Sequence, residues 1–233
     1  MEPVLFYGVP QGCSFGSIVA LEWLNLPYRL CRIEMLEHPW PALYARVNPL
    51  NLTPAYLTAD GRALRESTAI LLHLASQGDM KLGYAQSTPE YDRLNQTLLY
   101  LNTDFFAAFG HLWIAYEMKS DPEKKEVLRE LGRQRVVAAC AHLDGLLADR
   151  EWIDGGSKRT VADAYFVGLA RWAEYHRVLD VEKYPHFHRH LQKLRDDPAV
   201  TFSDAIEKKK EAVSSGKFLG HVTLEELEPV LPG

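Results

Sequence analysis

The chain lacks the features that would tie it to an oxidising compartment, a bilayer or a nucleic acid. Its 233 residues include three cysteines, Cys13, Cys31 and Cys140, with no CxxC pair. An odd count without close spacing argues against a disulfide framework and fits a reducing compartment, so a cytoplasmic location is expected. No apolar run approaches the roughly 20 residues that a membrane-spanning helix needs. The opening Met1-Glu2-Pro3-Val4-Leu5-Phe6-Tyr7 has no basic start of a targeting segment. Positive charge is not in excess, with 26 Lys and Arg against 31 Asp and Glu. That balance offers nothing to a phosphate backbone or an anionic lipid surface, so neither nucleic acid nor membrane is an expected partner. Gly 15 and Pro 13 are ordinary counts, which sets aside collagen-like and disordered classes. No internal repeat and no low-complexity tract is present.

Apolar sequence is plentiful, at 47%, and a chain of this length can bury a core without metal or disulfide. Those residues follow two patterns. Val4-Leu5-Phe6-Tyr7 reads as a buried strand ended by Gly8 and Pro10, Ser14 to Leu24 as a helix, and Tyr28 to Ile33 as a second strand. A short helix from Pro41 to Val47 stops at Asn48-Pro49, because the residue before proline disfavours the helical region. Ala55 to Thr58 and Ala63-Leu64 flank the turn signal Asp60-Gly61, and Thr68 to Ala75 is helical. From Pro89 onward no strand is expected. Leu94, Leu98, Leu101, Phe105, Phe109 and Leu112 keep the spacing of one helix face. Val136 to Leu147, Val161 to Trp172 and Phe187 to Leu194 carry three more such stripes. The expected division is an α/β domain over 1–79, a linker over 80–88, an all-helical domain over 89–213, and a polar extension over 214–233 lying on the surface.

Four short constellations carry candidate chemistry. Pro10-Gln11-Gly12-Cys13-Ser14 joins the first strand to the first helix. A thiol or hydroxyl there meets unpaired N–H groups and the positive end of the helix dipole, which favour a thiolate; the alternative is a small turn residue followed by an ordinary N-cap. In Asn51-Leu52-Thr53-Pro54, a cis peptide would leave the Thr53 N–H and C=O facing outward for an extended peptide, whereas a trans proline would make a plain loop. In Arg65-Glu66-Ser67, the serine at a helix start suits a carboxylate and the adjacent Glu66 an ammonium group, or both serve only as helix-start residues. Thr160-Val161-Ala162-Asp163 reads as a capping box, a structural device. The run His186-Phe187-His188-Arg189-His190 reads as a solvated helix surface, not a metal site, since no HExxH arrangement or nearby cysteine accompanies it.

Taken in this order, the four segments resemble the glutathione S-transferase superfamily over nearly the whole chain. Asn48-Pro49 with Pro54 and Leu57 is similar to the family's cis-proline loop, and Glu66-Ser67-Thr68-Ala69-Ile70 to its glutathione-binding motif. Thr160 to Asp163 is similar to its capping box, with Asp163 the aspartate critical for folding. Gly12-Cys13-Ser14, Ala164-Tyr165 and Arg171-Trp172-Ala173 resemble the bacterial beta class. The resemblance implies a thioredoxin-like α/β N-terminal domain, an all-α C-terminal domain and a homodimer. It implies Cys13 and Ser14 as catalytic residues, with Tyr7 ranked behind them, and Thr53, Pro54, Glu66, Ser67 and Asn102 as glutathione contacts. Glutathione would be the co-substrate, with no metal.

There are departures from the family pattern. Asn51 stands where glycine is usual, Thr53 replaces valine, and Phe109 occupies a position where the beta class often has histidine. His111, two residues on, lies about 200° around the helix. The implied activity is a detoxifying conjugation of glutathione to a small hydrophobic electrophile set against the helical domain. The alternatives are a monothiol disulfide oxidoreductase using Cys13 and a non-enzymatic binding protein built on the same fold.

Overall fold

The computed structural model describes residues 1–178, 180 and 182–232. The chain forms two compact units, Met1–Ala85 together with the segment from Asp196 onward, and Gln86–Arg195. The first is built on a mixed sheet of β1 (Val4–Tyr7), β2 (Pro27–Arg32), β3 (Ala55–Leu57), β4 (Ala63–Arg65) and β5 (Lys217–His221), in the order β4-β3-β1-β2-β5. β1 runs parallel to β2 and antiparallel to β3, and β5 runs parallel to β2. The central position of β1 explains its unbroken apolar sequence, since a strand covered on both faces has no polar side to show. Val4 and Phe6 point to one face, where they meet Tyr44 and Val47 of the helix α2 (Ala42–Val47). Leu5 and Tyr7 therefore point to the other face. Helix α1 (Phe15–Leu24) is buried along its whole length and packs against α3 (Ser67–Ala75) and α9 (Pro198–Glu207). The Asp60-Gly61 turn closes the β3–β4 hairpin, with Gly61 at φ 84° and Thr58 N–H donating to Arg62 O at 2.9 Å.

The end of the chain differs from the expectation of a helical domain running to 213 and a surface extension beyond it. Residues from Asp196 belong to the first unit, and the tail supplies its fifth strand. Two anchors explain this. Glu22, 2% exposed on α1, accepts hydrogen bonds from Tyr28 Oη, from Ser214 Oγ at 2.8 Å, from Ser215 N at 2.6 Å and from Gly216 N at 2.8 Å. A Cβ on Gly216 would lie 2.8 Å from the Glu22 carbonyl oxygen, so only glycine lets the tail pass so close to α1. Beyond β5, Leu224 and Leu227 of α10 (Leu224–Leu227) and Leu231 sit in the same cluster as Phe6, Ile33 and Tyr44. Arg46 donates from Nε to Pro232 O at 2.8 Å and from Nη2 to Leu231 O at 2.9 Å.

The second unit is helical among its described residues: α4 (Pro89–Tyr100), α5 (Gly110–Glu117), α6 (Pro122–Leu146), α7 (Val161–Tyr175) and α8 (Pro185–Arg195). The six residues of the long apolar stripe from Leu94 to Leu112 are all buried. They do not lie on one regular helix, because Leu101–Phe106 forms a π-helical stretch between α4 and α5. Thr160 and Asp163 make the expected capping box at the start of α7. Asp163 is fully buried; its Oδ1 accepts from Ile153 N at 3.0 Å and its Oδ2 from Thr160 N at 2.9 Å. His190 Nε2 lies 3.0 Å from the same Oδ1. His190 is thus a 3% exposed core residue and not part of a solvated surface, a pairing with a residue 27 positions away that no local pattern discloses.

Candidate functional site

Strand register gathers most of the first unit's candidate residues at one end of the sheet. Phe6 pairs with Ala55, and Ala55 with Arg65. Hence the loop leaving β1, the residues entering β3 and those leaving β4 lie side by side. Gly8 makes the closest of these approaches, since a Cβ there would stand 2.8 Å from Thr53 Oγ1. The loop after Tyr7 then turns tightly, with Gly12 N–H donating to Val9 O at 3.0 Å and Gln11 N–H donating to Glu207 Oε2 at 3.1 Å.

Cys13 follows, half-buried, two residues before α1 begins. Helical bonding starts with Ile18 N–H donating to Ser14 O at 3.1 Å, so the preceding N–H groups have no acceptor within the helix. Ser14 is 1% exposed, and its hydroxyl neither caps the helix nor finds another partner among the described residues. Burial separates the three thiols. Cys31 and Cys140 are buried, and desolvation pushes each up to about 12, which leaves both protonated at neutral pH.

The loop before β3 is pinned by its own side chains. Tyr44 Oη and Asn48 Nδ2 both donate to Leu52 O, at 2.7 and 2.8 Å. Asn51 has φ 51°, a left-handed conformation that asparagine tolerates better than most residues, so it can stand in for glycine here. The Thr53–Pro54 peptide is cis. Neither the N–H nor the C=O of Thr53 has a hydrogen-bond partner among the described residues. On the other side, Glu66 holds φ 68° and ψ 125° immediately before α3. A glutamate at positive φ costs about 1–3 kcal/mol, which the surrounding fold must supply. Its exposed carboxylate has no partner among the described residues, and Ser67 opens the helix beside it.

The other two residues singled out by resemblance lie in the second unit. Asn102 sits in the π-helical stretch, where its Oδ1 accepts from Tyr165 Oη at 2.9 Å. His111 has a buried Nδ1 without a partner among the described residues, while Phe109 is wholly in the core. Among the described residues no three His, Cys, Asp or Glu side chains are grouped to hold a metal ion.

Tyr7 is engaged elsewhere. Its hydroxyl lies 2.9 Å from Nε2 of His221, a β5 residue 214 positions away, and Arg32 stands 5.4 Å from its ring centroid. Burial pushes the Tyr7 phenol above its ordinary value, with Arg32 opposing the shift. Sequence reasoning missed His221 because nothing local marks the tail as part of the sheet.

Two family comparisons match successive parts of the chain. The glutathione S-transferase N-terminal domain matches residues 13–77, and the glutathione S-transferase C-terminal domain matches residues 106–198. Glutathione S-transferase GstA of Escherichia coli O157:H7 is 28% identical over 199 residues, covering 84% of this chain and 94% of that protein. A sphingomonad glutathione S-transferase solved in complex with glutathione is 26% identical, with a TM-score of 0.77 over 88% of this chain and 98% of that one. The bacterial beta class enzyme of Sphingomonas chungbukensis is 25% identical, with a TM-score of 0.76 over the same shares. A thioredoxin-like sheet with a helical second unit, the cis-proline loop, the Glu66-Ser67 helix start and these likenesses agree: the chain belongs to the glutathione S-transferase family.

Proposed function

We propose that the protein is a glutathione transferase that joins the glutathione sulfur to a small hydrophobic electrophile in a detoxifying reaction, acting as a cytoplasmic homodimer. The observation that carries this reading is the unpaired Thr53 backbone, flanked at the same sheet end by the start of α1 and by the exposed Glu66 beside Ser67. An extended tripeptide matches that spacing. Its backbone pairs with the Thr53 N–H and C=O next to Pro54, as an added strand does. Its α-amino group meets the Glu66 carboxylate, and its α-carboxylate meets Ser67 at the N-terminus of α3. Asn102 is the remaining candidate contact, supplied across the dimer. The thiol releases its proton to solvent water, and the thiolate is stabilised near Cys13 by the N–H groups that open α1, with Ser14 as a second candidate. The sulfur attacks the electrophilic carbon, an S–C bond forms, and the leaving group departs with its electron pair.

A second reading draws on the half-buried Cys13 at that helix start. Its thiolate attacks the glutathione sulfur of a mixed disulfide between glutathione and another thiol, that thiol leaves as thiolate, and a glutathione thiolate then attacks the sulfur held on Cys13, releasing glutathione disulfide and the Cys13 thiolate. Cys13→Ser separates the two. Under the transferase reading, conjugation of a model electrophile persists in the variant. Loss of conjugation together with disulfide reduction would make Cys13 the centre of both reactions.

A further inference from the structure

The loop that carries Cys13 is held from outside by a buried carboxylate. Gln11, two residues before Cys13, stands at φ 61°, a left-handed conformation that is unfavourable for a residue with a Cβ. Its N–H donates to Oε2 of Glu207 at 3.1 Å. Glu207 is the last residue of α9 and is 2% exposed. It lies 196 positions from Gln11 in the chain, so no local pattern marks it.

Glu207 is itself fixed on several sides. α9 packs against α1 and runs opposite to it. At one end Trp23 Nε1 donates at 2.9 Å to Oδ1 of Asp197, the N-cap of α9; at the other, Glu207 meets the turn that leads into α1. The end of α9 is closed by Lys209 at φ 54° and by Lys210 N–H donating to Ala205 O at 2.9 Å. Glu207 O accepts from Arg32 Nη1 at 3.3 Å, at the end of β2. Of the charged side chains at this junction, Arg32 pairs with Glu34 at 2.9 Å, and Lys209 with the same Glu34 at 2.7 Å. The carboxylate thus stands at a set place, and the strained loop residue is bonded to it.

The consequence lies two residues on. A sulfur at the start of α1 is stabilised by N–H groups that have no acceptor within the helix, and their aim depends on how the segment from Gln11 to Ser14 enters it. A carboxylate beside a thiolate opposes its formation, so what Glu207 contributes to the site comes through the loop and not through its charge.

We propose that Glu207 is a positioning residue for the thiol site: its carboxylate holds Gln11 in the left-handed turn, and that turn aims the opening N–H groups of α1 at the sulfur. The proposal rests on the reading that a thiolate is stabilised at this helix start.

The experiment follows alkylation of Cys13 by iodoacetamide in the full chain from pH 5 to 10, read by mass spectrometry of the Cys13 peptide. The midpoint of the pH–rate profile reports thiolate formation and does not depend on how accessible the thiol is. Glu207→Ala is expected to hold about tenfold less Cys13 thiolate at neutral pH than the parent. Glu207→Gln keeps an oxygen for the Gln11 N–H and removes the charge, so its midpoint should lie at or below the parent's. Glycine adopts the left-handed turn without strain, so adding Gln11→Gly to Glu207→Ala should restore the parental midpoint. A parental midpoint in Glu207→Ala overturns the proposal, as does a raised midpoint in Glu207→Gln or a double variant that stays with Glu207→Ala. Urea midpoints identify the variants that fold. If Glu207→Ala does not, Glu207→Asp, whose carboxylate ends one methylene short, replaces it with the same expectation. Glutathione is titrated into the parent alongside. Absent saturable binding there would overturn the glutathione reading alone, since the Cys13 midpoint is measured without glutathione.

Discussion

A single thiol distinguishes itself at the scale of the residue. Cys31 and Cys140 are buried and held protonated, whereas Cys13 is half-buried in a loop at a helix start. A disulfide probe such as 5,5′-dithiobis(2-nitrobenzoate) should therefore label one cysteine quickly in the native protein and the other two only after unfolding. Cys13→Ser should abolish the fast phase; two fast thiols, or none, would contradict the reading. Asp163 presents a different kind of dependence. Its carboxylate satisfies the Ile153 and Thr160 N–H groups and faces His190 while fully buried. Asp163→Asn turns an acceptor into a donor against those donors. With each lost charge-assisted bond contributing about 1.5–3 kcal/mol, a loss of about 3–5 kcal/mol is expected in urea unfolding. A loss below 1 kcal/mol would mean the network is not holding the start of α7.

Among the elements, the tail is the one whose role is least visible in its own residues. Lys217–His221 is short, contains Gly220 and alternates exposed with half-buried residues, so its apolar content is too low to read as a strand. Its partner β2 lies some 190 residues earlier in the chain, and the holding groups are a buried glutamate and the backbone N–H groups of a serine and a glycine. Gly216→Ala should push the segment off α1, because the nearest atoms to the added methyl are backbone. Amide hydrogen exchange over 214–222 is expected to rise by at least tenfold while β1 stays protected; unchanged exchange would contradict the anchoring. Gly132 in α6 sets two effects against each other. Alanine gains about 1 kcal/mol of helix propensity. Its Cβ, however, would lie 2.7 Å from Leu112 Cγ and 3.1 Å from Leu112 N in α5, and overpacking of that kind costs about 1–3 kcal/mol. Net destabilisation of about 1 kcal/mol is predicted.

Much of both units was legible because burial imposes a period. The stripes from Leu94 to Leu112 and from Val161 to Trp172 are buried as their spacing requires, and β1 is central as its unbroken apolar run requires. The π-helical stretch was not legible, since one wider turn changes the apolar spacing too little to stand out. In the candidate site, Thr53, Glu66 and Ser67 could be named from local motifs, as turn and cap chemistry is local. His221 and the His190–Asp163 pair could not, since each depends on a partner brought near only by the fold.

For the whole molecule, the charge balance predicts an acid limit. His73, His176 and His221 are all held below 6.5 by desolvation. Between their folded values and 6.5 the unfolded chain binds more protons than the native one, so stability rises with pH across that window and falls as pH drops below about 6.5. Urea midpoints measured from pH 7.5 to 5 should decline accordingly, and His221→Gln should flatten the slope. A midpoint that rises on acidification would reverse the sign and refute the account. Among the described residues no helix is long and apolar enough to cross a membrane.

The central claim is that the Thr53 edge and the Glu66-Ser67 helix start hold glutathione. Isothermal titration of glutathione into the wild-type protein and into Glu66→Ala and Ser67→Ala variants tests it most directly. One saturable site per chain is predicted in the wild type, weakened about 10- to 100-fold in each variant by the loss of a charge-assisted contact. Absence of saturable binding to the wild type, or equal affinity in all three proteins, would contradict it.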